Sequence, residues 1–168
     1  STLLSIAIAL PLALMANTYR FPGKDILNSL VLIPMILPPF VGALGVRQFL
    51  GQSGVFNTLL INLGLMDADA PVDWLGGGQL LGVVIMNALH LYPIAYLNIS
   101  AALANLDPAM EEAAENLGCH GIRRLFRITI PLIMPGLSAG ATIIFIWAFT
   151  ELGVPLVFDY SRVTSVQI

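Results

Sequence analysis

The amino-acid sequence predicts an all-α chain folded as a polytopic bundle of membrane helices, and three observations carry that expectation. The 168 residues are 57% hydrophobic and 10% charged, with a mean hydropathy of +0.87; a water-solvated surface needs a denser mixture of charges. The charges are also gathered, leaving Ile26 to Val46, Trp74 to Leu106 and Ile128 to Thr150 with none. Each of these stretches holds a helix of about 20 residues, the length that a hydrocarbon core of about 30 Å demands.

In chain order, the first apolar run is Leu3 to Ala16, which makes about four spans in all. It is too short to cross alone and has no initiator Met before it, so the chain reads as a single transmembrane domain over residues 1–168, a piece of a longer protein incomplete at both ends. A cleavable signal peptide is the competing reading of this run, but no basic stretch precedes it and no small-residue cleavage site follows. The next connection, Asn17 to Asp25, carries Arg20 and Lys24. After the second span, residues 51–73 form an outer-side segment in which Val55, Phe56, Leu59, Leu60 and Leu63 recur at helical spacing among Gly and Asn, which predicts a short amphipathic helix at the interface. Gly76, Gly77 and Gly78 then resemble a phosphate cradle, but no Lys-Ser/Thr pair follows, and a hinge or loop is the simpler reading.

Prolines at positions 11, 34, 38, 39, 93, 131 and 135 lie in or beside the spans. Each removes a backbone donor, so bent, packed helices are expected, their freed carbonyls satisfied by neighbours. Gly136, Ser138 and Gly140 flatten one face of the last span, and the GxxxG pair permits close helix contact. Simple packing accounts for that face.

Orientation follows from the basic residues. If the spans alternate, Arg20, Lys24, Arg123, Arg124 and Arg127 share one side, and only Arg47 and Arg162 lie on the other with Asp67, Asp69, Asp73 and Asp159. The positive-inside rule makes residues 17–25 and 107–127 cytoplasmic. The net charge of −3 matters less than this distribution. A single cysteine, Cys119, excludes an intrachain disulfide and a Cys-based metal cluster, and no cofactor or nucleic-acid partner is expected for this chain.

The cytoplasmic connection is the most informative segment. Asp107 is a suitable N-cap, Pro108 a first helical residue, and Glu111 and Glu112 sit near the positive end of the helix dipole. Gly118 can take the left-handed conformation that stops the helix. A second helix then begins around Ile122 and enters the membrane. By physics alone, a capped helix, a sharp turn and three arginines fit either lipid anchoring or docking of a cytoplasmic partner equally well.

The order Glu112-Ala113-Ala114, three residues, Gly118, nine residues, Ile128, one residue, Ile130, Pro131 resembles the signature of permease subunits of binding-protein-dependent ABC importers. That signature runs Glu-Ala-Ala, three, Gly, nine, Ile, one, Leu, Pro. The sole departure, Ile130 for Leu, preserves an apolar position. Phe21-Pro22-Gly23-Lys24, Leu37-Pro38-Pro39 and Phe149 to Leu156 extend the resemblance more loosely, towards the ferric-iron, polyamine and thiosulfate-type branch.

The resemblance implies a type I importer permease in a bacterial cytoplasmic (inner) membrane, with residues 107–127 as its coupling loop. It implies that Glu112, Ala113, Ala114, Gly118, Ile128 and Pro131 meet a separate ATPase. The expected partners are a cytoplasmic ATP-binding subunit dimer, which would hold ATP and Mg, a second permease domain or copy, an extracytoplasmic solute-binding protein and the bilayer. The chain itself has no Walker lysine and no HExxH motif, so it is not expected to be an enzyme.

Polar groups at membrane depth are Asn87, His90 and Tyr92, with Glu151 at the outer mouth. They read either as lining a translocation path or as bridging helices. The alternative function, a secondary transporter or channel not driven by ATP, would place ionisable groups inside the bundle. The spans hold almost none, and that alternative leaves the loop motif unexplained.

Overall fold

The computed structural model describes residues 1–18, 22–67, 71–72, 74, 79–158, 160 and 163–167. Arg20, Phe21, Asp69, Asp73, the Gly76–Gly78 tract, Asp159 and Arg162, all used above, lie outside the described residues. Among those described, regular structure is entirely helical.

Helix α1 (Thr2–Thr18) turns one small-residue face inward, with Ser5, Ala9, Ala13 and Ala16 all buried at helical spacing. That flat face lies on α5 (Gln79–Ala104), its main neighbour. Ser5 Oγ reaches across to donate to the Ala88 carbonyl at 3.3 Å. Helix α5 is the centre of the molecule, since buried residues surround its axis: Val83, Asn87, Ala88, Leu91, Ala95, Tyr96 and Ile99. It contacts α1 on one side and α8 (Ile130–Thr150) on another.

The α5–α8 seam depends on glycine. A Cβ at Gly136 would stand 2.6 Å from Ala102 Cβ, and one at Gly140 would stand 3.1 Å from Asn98 Cβ. The predicted GxxxG contact is therefore real, and its partners are Asn98 and Ala102 of α5.

The predicted second span, Ile26 to Val46, is corrected in form. It is a broken element: α2 (Lys24–Leu32) and a 3₁₀ turn (Ile33–Met35) meet α3 (Pro39–Leu50) and α4 (Val55–Asn62) at 91°. The prolines explain it. Pro38 and Pro39 cannot donate to the Pro34 and Met35 carbonyls that a continuing helix would present, and Pro38 adopts extended geometry (φ −56°, ψ 137°). His90 Nδ1 of α5 donates instead to the Pro34 carbonyl at 3.0 Å. Nearer the start of α2, Tyr96 OH donates to Asn28 Oδ1 at 2.6 Å.

Two helices are long and apolar enough to cross a membrane, Leu80–Ala104 and Gly121–Thr150, with a third if the bent pair is one span. Helix α1, at 17 residues, is apolar but shorter. The last span begins at the helix expected around Ile122, running unbroken from α7 (Gly121–Arg124) through a π turn (Leu125–Thr129) into α8.

On the opposite end from the loop, α4 occupies the predicted interfacial segment, but its polar residue points inward. Asn57 is 2% exposed. It donates to the Gln52 and Val72 carbonyls and accepts from Trp74 Nε1 at 2.7 Å. Val55, Leu59 and Leu63 are exposed instead. Short α9 (Gly153–Val157) packs on α3 through Ala43, Val154 and Phe158, and α10 (Thr164–Gln167) closes the described chain.

Candidate functional site

The loop between α5 and α8 is built almost wholly from local bonds. Asp107 Oδ1 accepts from Ala109 N at 2.9 Å and so caps α6 (Pro108–Asn116), with Pro108 in the first turn. At the other end Gly118 lies at φ +77°. Gly118 N donates to the Glu115 carbonyl and Cys119 N to the Ala114 carbonyl, both at 2.9 Å. This pair of bonds is a Schellman closure, which requires a left-handed residue at the position Gly118 fills. His120 then leads into α7 with extended backbone, and Arg124 pairs with Glu115 across the turn.

The π turn follows from Pro131. Lacking an N–H, Pro131 leaves the Arg127 carbonyl without its helical donor, and the chain here is underwound, with one extra residue in the turn, so that Ile130 N donates to Leu125 O. Ile128 sits inside this π turn, half-buried, and Thr129 is buried.

Within the predicted coupling set, Ala114 is buried towards α7 and the π turn, whereas Glu112, Ala113, Gly118 and Pro131 are exposed. The structure therefore divides the set into residues that build the loop and residues that it presents. Around them, Met110 is exposed, Leu117 is 87% exposed and Ile122 is 76% exposed. An added Cβ at Gly118 meets nothing within 4 Å. Beside the loop, a cleft of about 960 Å³ opens between the ends of α1 and α5 and the start of α7, with Leu14, Leu103 and Leu125 on its walls and Asn17, Asp107 and Arg124 among its polar groups.

The four polar residues near membrane depth do not converge. Asn87 is buried on α5, one turn before Leu91. His90 braces the bend at Pro34. Tyr92 is half-buried beside the α1–α5 core. Glu151 Oε1 accepts from Gly153 N at 2.9 Å and Val154 N at 3.4 Å, capping α9. Sequence reasoning missed the Glu115–Arg124 pair, the π turn and the Asn28–Tyr96 bond. Only the π turn had a local signal, in Pro131.

Among the described residues no group of three or more His, Cys, Asp or Glu side chains is placed to hold a metal. Residues 6–162 match the family described as binding-protein-dependent transport system inner membrane component. The chain is 30% identical to a probable molybdenum ABC transporter permease of Haloferax volcanii over its whole length, covering 58% of that protein. It is 30% identical to a spermidine/putrescine transport system permease of Haemophilus influenzae over 86% of the chain and 49% of the relative. A putative ferric transport system permease of the same organism is 32% identical over 96% of the chain and 24% of its own length. The chain thus spans about half or less of most of these relatives. Polyamine and ferric relatives agree with the branch suggested by the motifs, and molybdenum relatives stand beside them at similar identity.

Proposed function

This chain belongs to the family of binding-protein-dependent transport system inner membrane components, and from that membership we propose that it is the membrane-spanning subunit of an ATP-driven solute importer. It is a multi-pass membrane protein. Its loop 107–127 faces the cytoplasm and docks on an ATP-binding subunit dimer, which supplies ATP hydrolysis with Mg. A second permease domain or copy completes the path, and an extracytoplasmic binding protein delivers the solute.

One observation carries the reading. A rigid, doubly closed helix presents apolar Met110 and Leu117 and the small side chain of Ala113 outward, at the end of a helix continuous with a span. Exposed apolar side chains on a fixed scaffold are what a protein partner covers. In the docked state Glu112 makes polar contacts, Ala113 allows close approach, Ala114 and Gly118 hold the turn, and Ile128 and Pro131 join it to α8. Movement of the ATP-binding subunits then acts on a helix bundle with two arrangements. Asn87, His90, Tyr92 and Glu151 are the candidates for lining the path on this reading, with His90 also bonded to the bend of α2 and Glu151 capping α9.

The test is Gly118→Asp in the full transporter. The added Cβ meets nothing within 4 Å, and the left-handed backbone at φ +77° costs Asp about 1–2 kcal/mol, so the turn is strained but folding is expected to survive, while the charge placed under a docked partner abolishes ATP-driven uptake into vesicles. Normal uptake by this variant refutes the docking assignment. Cys119, partly exposed beside the turn, provides a second measurement: a thiol crosslink to a co-expressed ATP-binding subunit.

A further inference from the structure

We propose that Arg123 and Arg127 form a binding site for the anionic headgroups of phospholipids in the leaflet where α7 enters the membrane. Gly121–Thr150 is one continuous helix of 30 residues, about 45 Å long at 1.5 Å per residue. A hydrocarbon core of about 30 Å takes about 20 of those residues. The apolar stretch from Ile130 to Thr150 fills it, so residues 121–129 stand in the headgroup layer.

Three arginines lie in that layer, and the structure separates them. Arg124 is occupied by Glu115. Arg123 and Arg127 are exposed and have no acidic partner among the described residues. Being four residues apart, they share one face of the helix. Beside them runs a second stripe with the same spacing, Ile122 and Phe126, 76% and 64% exposed. A cationic stripe beside an apolar one, at the boundary of the core, matches a molecule with a phosphate head and acyl chains. The guanidinium fork suits phosphate oxygens in particular. An acidic protein surface would satisfy the arginines, but only a lipid satisfies both stripes at this depth. The inference rests on membrane placement and is independent of ATP coupling.

The experiment uses the full-length protein in phosphatidylcholine bilayers containing a minor fraction of phosphatidylglycerol. Association of spin-labelled phosphatidylglycerol is compared with that of spin-labelled phosphatidylcholine. The wild type is expected to prefer phosphatidylglycerol. R123Q and R127Q each weaken the preference about fivefold. R123K/R127K retains most of it, separating loss of charge from loss of fold, and R124Q leaves it unchanged. Equal association of the two lipids with the wild type overturns the proposal, as does a preference that survives R123Q/R127Q or falls equally in R124Q. Efficient crosslinking of residues 123 and 127 to the ATP-binding subunit in the assembled complex also overturns it, giving this face to the protein partner. Because neither ATP nor uptake enters the measurement, a failed transport assay leaves this result standing.

Discussion

The seam between α5 and α8 and the loop between them are joined end to end, yet they are held by opposite means. At the seam, Gly136 and Gly140 let two backbones approach until Ala102 and Asn98 fill the space. Stability there is steric, and the side chains that matter are those that are absent. In the loop, an N-cap, a Schellman closure and an ion pair fold residues 107–124 largely upon themselves, leaving Met110 and Leu117 uncovered. The contrast teaches that one part of the chain is built to resist change and the other to keep its shape while offering a surface.

Substitutions sharpen that contrast. The largest effect is expected at the seam: Gly136→Ala places a methyl 2.6 Å from Ala102 Cβ and should cost about 1–3 kcal/mol, as overpacking does. Thermal unfolding in detergent reads it, with Gly140→Ala milder because its contact is 3.1 Å. Equal tolerance of both would mean that the helices are not pinned by these glycines. Next comes His90→Phe, which leaves the Pro34 carbonyl without its donor at a cost of about 1–3 kcal/mol. Faster hydrogen exchange confined to α2 and the 3₁₀ turn would mark His90 as the brace of the bend.

In the loop the effects are smaller and local. Asp107→Ala removes the cap of α6 and should cost about 1 kcal/mol, seen as faster exchange of amides 109–111 with the global midpoint unmoved. A shift of the global midpoint would show that loop and seam unfold together. Smallest is Glu115→Gln. Its pair with Arg124 is half-exposed on the glutamate side, so the loss should stay under about 1 kcal/mol and shrink further at high salt.

The loop was legible because its signals are local. Asp107, Pro108 and Gly118 act on bonds within a few residues, and each performs in the structure the step its residue type suggests. The bend was half legible: the prolines predicted distortion of Ile26 to Val46, but not a 91° break. Its angle depends on His90 and Tyr96, more than 50 positions away. The polar residues of α5 were the least legible, since a His or Tyr within a span looks the same in sequence whether it meets solute or a neighbouring carbonyl.

By itself, then, the sequence determined that this chain is rich in apolar helices, that Trp74 to Leu106 and Ile128 to Thr150 hold helices long enough to cross a membrane, and where the capped loop begins and turns. Those properties follow from hydropathy and short-range hydrogen bonding. Only the tertiary structure decided that α5 is the centre, that the glycines of α8 meet Asn98 and Ala102, that Asn57 turns inward while its apolar neighbours remain outside, and that Arg124 is taken while Arg123 and Arg127 are left exposed. Each of those outcomes requires two segments to meet, and a residue's type does not carry the identity of the partner it will face.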